Sequence, residues 1–183
     1  MYQIMDYLNK VAYNELVGYL IEHSDSFIFH LPNMGKILAN ERNVDLMSEY
    51  PIGYSEEFEQ ERHKEYVKRM EPYIEVIKDD IIERHFDTGY LDQASNREIE
   101  VFNVRISPAT KQFFQFSEGF ERWTYPELPE NPCFLREGKC IFQSIVHEDL
   151  YFVYLDDENI EKILKRNHIS YMYMPDEEVL IYS

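Results

Sequence analysis

Apolar positions recur at helical spacing in the first half of the chain and at alternating spacing in most of the second. Ile4, Leu8, Val11, Ala12, Leu16, Tyr19 and Leu20 fall every three or four residues, which predicts an amphipathic helix over residues 4–22 with one face turned inward. Ser24 and Asp25 break that period. Residues 26–31, Ser-Phe-Ile-Phe-His-Leu, then form an apolar run of strand length closed by Pro32-Asn-Met-Gly35, with His30 read as a sheet histidine and not a ligand. Within residues 36–53 only 44–47 suit a short helix.

Ser55 offers an N-cap hydroxyl, followed by Glu56 and Glu57 where the helix dipole favours negative charge. Phe58, Tyr66, Val67, Met70, Tyr73, Ile74, Ile77 and Ile81 continue the stripe as far as His85, and Pro72 inside it predicts a kink or two consecutive helices ending before Gly89. Glu59, Glu61, Arg62, Lys64, Lys68 and Arg69 occupy the other side, a solvated face.

Residues 88–96 read as a loop, after which the period shortens. Residues 97–106 alternate as a half-buried strand, with Ile99, Val101 or Phe102, Val104 and Ile106 contending for the inner face. Ser107-Pro108 starts a turn, 112–116 read as a short strand, and 117–123 as a helical turn carrying the only Trp. Pro126, Pro129 and Pro132 then stiffen a connector. Glu137-Gly138 suits a two-residue hairpin loop, because glycine accepts positive φ without steric cost. Pairing Arg136 with Lys139 puts Leu135 opposite Cys140 and Cys133 opposite Phe142, so all four share one apolar face. His147-Glu148-Asp149 is the next polar break before residues 150–155, which makes 123–155 a three-stranded antiparallel meander. Asp156 caps a helix to residue 166 that Asn167 ends, and 169–174 with 179–182 form a terminal hairpin.

These elements predict an α+β fold, one domain over residues 1–183, with an antiparallel sheet mainly from residues 97–183 covered by helices from the N-terminal half. The 15 Tyr and 12 Phe supply large core pieces that keep a polar tip.

Charge narrows the partners. Asp+Glu number 35 against 18 Lys+Arg, a formal net charge of −17 that opposes nucleic acid and anionic membrane surfaces; it reads first as a soluble, self-repelling surface and second as steering toward a basic protein, which composition alone does not separate. The N-terminal residues lack a basic segment followed by a long apolar run, which predicts a cytoplasmic protein. Cys133 and Cys140 are expected reduced and buried, diagonal in the hairpin and beyond comfortable disulfide geometry; with no CxxC spacing they make a poor zinc site.

The sequence carries no HExxH, Walker loop, Gly-rich dinucleotide turn or Gly-x-Ser-x-Gly, so no metal or cofactor is expected. The repeated tripeptide Glu61-Arg62-His63 and Glu83-Arg84-His85 lacks the three-residue Glu/His spacing of a bundle di-metal site. His147-Glu148-Asp149 is the remaining cluster of chemical groups. The first reading is a small acidic protein-protein interaction module without catalysis, an inhibitor or immunity-type partner of a basic protein, with Trp123 and Tyr125 as aromatic anchors and Glu127, Glu130, His147, Glu148 and Asp149 as polar rim. The alternative is a hydrolase or metal-dependent enzyme using His147 and Glu148.

Overall fold

The computed structural model of the chain describes residues 1–37, 56–87, 97–155 and 157–174. Alternation of large apolar and smaller residues builds its strands: β1 (Tyr2–Ile4), β2 (Ser26–Ile37), β3 (Ile81–Asp87), β4 (Arg97–Arg105), β5 (Glu130–Arg136), β6 (Lys139–Ile145), β7 (Leu150–Val153) and β8 (Tyr171–Tyr173). They join in one antiparallel sheet in the order β3-β4-β2-β5-β6-β7-β1-β8.

Register assigns the faces. Phe27 lies opposite both Val104 and Phe134, Phe134 opposite Phe142, Phe142 opposite Val153, and Val153 opposite Tyr2. This row faces the helices α1 (Lys10–His23), α2 (Glu56–Ile77), α3 (Pro108–Phe114) and α4 (Glu158–Arg166). Leu16 and Leu20 of α1, Tyr66 and Met70 of α2, Phe113 and Phe114 of α3, and Ile160 and Leu164 of α4 join it in one core cluster. Phe29 stacks on Phe102 at 4.8 Å and Phe114 on Phe134 at 4.9 Å, contacts typically worth about 0.5–1.5 kcal/mol each beyond burial. The alternate positions, among them Ile28, His30, Val101, Cys133 and Gln143, take the other face.

The α+β class holds, but the expected division of the chain does not. Helices α3 and α4 lie in the C-terminal half, and β1, β2 and β3 lie before residue 97. The cause is capping chemistry. In α3, Ser107 Oγ accepts from Ala109 N at 3.0 Å while Thr110 Oγ1 accepts from Ser107 N at 3.0 Å, so the segment read as a turn and strand is a capped helix with Pro108 in its first turn. In α4, Asp157 Oδ1 accepts from Asn159 N at 2.7 Å. Asn167 is its C-cap, as expected.

Three further boundaries move. Asn9 Oδ1 accepts from Val11 N and Ala12 N, each at 3.0 Å, so α1 begins at Lys10 and Ile4 belongs to β1. Pro72 sits within a continuous α2, which ends at Ile77, and residues 81–87 form an outer strand. Ile81 and His85 are four apart, a spacing that a period of two satisfies as well as a helical one. The 44–47 helix, the Ser55 cap, the 88–96 loop, Asp156 and the 179–182 strand fall outside the described residues.

The meander forms with one change of register. Glu137 and Gly138 both have positive φ, 52° and 73°, and Arg136 pairs with Lys139 as predicted. Leu135 pairs with Cys140, but the ladder then shifts so that Phe134 meets Phe142 and Cys133 meets Gln143. Ile141 is the extra residue of this bulge. The shift sends Phe142 to the helix-covered face, where its ring lies 4.4 Å from Phe120. Both thiols are free and buried, yet their sulfurs are 3.2 Å apart and not beyond reach.

Candidate functional site

Asn131 organises one end of the sheet. Its backbone, at φ 51°, takes the left-handed conformation that Asn tolerates better than most residues. Its N–H donates to Trp123 O at 3.3 Å, and its Oδ1 accepts from Val146 N at 2.8 Å. The connector after Trp123 and the turn after β6 are thereby held side by side.

On the connector, the Glu130 carboxylate accepts from Tyr125 N at 2.9 Å, and the Tyr125 ring meets Tyr66 edge-on at 4.8 Å. Beside them is a cleft of about 200 Å³ lined by Glu65, Tyr66, Arg69, Tyr125 and Pro126. Arg69 spans its rim, donating to Pro126 O at 3.2 Å. Among the described residues the buried Tyr66 hydroxyl has no hydrogen-bond partner, and burial, reinforced by the Glu130 charge, pushes its pKa up. Glu127 is exposed.

Across Asn131, residues 146–148 form a short 3-10 turn closed by Asp149 N donating to Val146 O at 3.1 Å. Asp149 is left-handed, φ 55°, and its carboxylate lies near the hydroxyl of Tyr7. The Asp149 carboxylate raises the Tyr7 pKa, because a neighbouring negative charge favours the neutral phenol. His147 Nε2 stands 3.6 Å from Glu148 Oε1, outside hydrogen-bond range, with both side chains about half exposed at 50% and 55%. The buried Tyr151 hydroxyl likewise has no partner among the described residues; burial first, then the charges of Asp149 and Glu121, raise its pKa. Glu121 folds back over Gly119, so that a β-carbon there would collide with its carboxylate.

The predicted site residues are therefore brought to one end of the molecule, with one displacement. Trp123 is wholly buried, between Phe113 and Phe114 at ring distances of 5.0 and 5.1 Å, and its Nε1 donates to Tyr13 Oη at 3.0 Å. It lies under this surface and not in it. Tyr125, Glu127, Glu130, His147, Glu148 and Asp149 are at or near the surface. Sequence reasoning missed Tyr7, Tyr66, Glu121, Asn131 and Tyr151. Asn131 had a signal, an Asn between prolines at the start of a strand; the others reach the site only through tertiary pairing.

Glu121 has Arg122 Nε at 3.7 Å, and nearby Glu118 has Lys10 at 2.6 Å. Among the described residues no lysine or arginine pairs with Glu127, Glu148 or Asp149, and no group of three His, Cys, Asp or Glu side chains is placed to hold a metal ion. No helix of the described residues is long and apolar enough to cross a membrane. No family model matches the chain, and comparison with curated proteins and with solved structures returned no match.

Proposed function

We propose that the chain is a non-catalytic recognition module whose acidic sheet end receives a cationic segment of a basic protein, as an inhibitor or immunity-type partner would. The observation that carries this reading is the set of carboxylates without lysine or arginine partners among the described residues, Glu127, Glu148 and Asp149, near the exposed ring of Tyr7 and the partly buried ring of Tyr125. Carboxylates on both sides of a fixed Asn131 hub present acceptors to lysine or arginine, and tyrosines add apolar contact area at low entropic cost. A net charge of −17 adds long-range attraction for such a partner and raises its association rate.

The test is an NMR titration with an arginine-rich peptide, an aspartate-rich peptide serving as control. Shifts should concentrate on residues 119–131 and 146–151 and weaken as salt rises, since screening at about 0.15 M shortens the reach of exposed charge to roughly 8 Å. Glu148→Lys combined with Asp149→Asn, the latter keeping a residue that tolerates the left-handed backbone, should abolish those shifts. Shifts spread evenly over the acidic surface, or unchanged in the double variant, would defeat the proposal.

A further inference from the structure

Cys133 and Cys140 lie at diagonal positions of the β5-β6 hairpin, on the sheet face turned away from the helices. Diagonal neighbours in a regular antiparallel ladder stand about 7–8 Å apart, which is why a bridge is not expected between them. The ladder here is not regular. Ile141 is inserted between the Leu135-Cys140 and Phe134-Phe142 pairs, and a bulge of this kind bends its strand and re-aims the neighbouring side chains. The two sulfurs meet at 3.2 Å, so closing a covalent bond requires an approach of only about 1 Å.

We propose that Cys133 and Cys140 are a redox-active dithiol that small-molecule disulfides convert to an internal cross-strand disulfide. In the reduced state the pair is self-contained: the thiols contact each other, Cys140 Sγ donates to Phe142 O at 3.3 Å, and neither residue exceeds 9% exposure. Oxidation runs by thiol-disulfide exchange. One cysteine, as thiolate, attacks a sulfur of a disulfide RSSR, forming a mixed disulfide and expelling RS⁻. The second then attacks the sulfur of the first and expels the other RS⁻. The two thiol protons pass to the two departing thiolates, so the protein loses two electrons and two protons and RSSR becomes two RSH. The contact between the sulfurs makes the second step effectively intramolecular, so the mixed disulfide does not accumulate. This site stands independently of the acidic surface.

Oxidised glutathione is the probe. The folded wild-type chain is incubated with it, quenched with acid, alkylated and mapped by mass spectrometry without reduction, with a urea-unfolded sample as control for the oxidant. The expected product is a monomer lighter by two hydrogen atoms, with Cys133 joined to Cys140 and both thiols restored by dithiothreitol. Cys133→Ser and Cys140→Ser, each lacking the resolving thiol, should stop at the glutathione adduct or not react. Wild-type thiols that remain fully alkylatable while the unfolded control is oxidised would show the pair to be packing alone and overturn the proposal. A persistent glutathione adduct on wild type, or disulfide-linked dimers, would overturn it equally. The wild-type measurement decides the matter even where a serine variant fails to fold.

Discussion

Tyr13 and Tyr151 flank the same ring, Phe120, at 4.9 and 6.3 Å, and both are buried, yet their hydroxyls are treated in opposite ways. Tyr13 Oη accepts from Trp123 Nε1 and donates to Phe114 O, each at 3.0 Å, so its donor is spent and burial in the aromatic core is compensated. Tyr151 Oη, close to Tyr7 and Asp149, has no partner among the described residues. The first tyrosine belongs to the scaffold. The second sits where the scaffold ends and the acidic surface begins, and its unmet hydrogen-bonding capacity is the sort of departure from full satisfaction that native structures reserve for special places.

The strongest test of that contrast removes the scaffold side. Trp123→Ala deletes a ring that packs on Phe113 and Phe114 and also removes the N–H that Tyr13 Oη accepts, leaving that hydroxyl only its bond to Phe114 O. A loss of about 3–5 kcal/mol in urea denaturation is expected. A loss under about 1 kcal/mol would mean that the core collapses around the gap and that Trp123 does not anchor it.

A second buried ring carries the comparison to the sheet face away from the helices. Burial pushes the His30 imidazole down to about 4, against an opposing pull from Asp87 and with a small added lowering from His85. The unfolded chain binds that proton near pH 6.5 and the folded chain does not, so the sign is fixed. Stability is full above about pH 6.5 and falls as the pH drops toward 4, by about 3 kcal/mol in all. Urea denaturation at pH 7 and 4.5 measures the loss, and His30→Leu should remove most of it while carboxylate contributions stay the same. Parallel pH curves for the two proteins would refute the assignment.

How much of this was legible before the structure depends on the range of the interaction. The Glu137-Gly138 hairpin, the helix ended by Asn167 and the C-terminal end of the first helix rest on local period and turn chemistry and stand where the sequence placed them, whereas the start of that helix lies six residues later than its apolar period suggested, at Lys10. The Ser107 cap was equally local, but Phe113, Phe114 and Phe116 suggested a strand and outweighed it. Other features are not local at all. The Ile141 bulge places Phe142 on the helix-covered face against Phe120, a contact between residues that local period does not connect. The meeting of Tyr7 with Asp149 requires β1 to pair with β7 across nearly the whole chain. The polar residues of the 146–149 turn were readable as a cluster; that Asn131 would hold them, and that Trp123 would lie beneath them, was not.

The two smallest effects set the tyrosines directly against each other, with one atom removed from each. Tyr13→Phe keeps the ring but leaves Trp123 Nε1 and Phe114 O without that partner in the core, where an unsatisfied buried group costs about 1–3 kcal/mol. Tyr151→Phe removes a hydroxyl that bonds to nothing among the described residues, so its desolvation cost disappears with no bond lost. The folded protein should be unchanged to within about 0.5 kcal/mol or slightly more stable. Urea denaturation of both variants under one buffer gives the difference, which should be at least about 1 kcal/mol in favour of Tyr151→Phe. Equal destabilisation by the two substitutions would mean that the Tyr151 hydroxyl is satisfied in solution, by water or by a shift of Asp149, and the distinction between scaffold and site edge would fall.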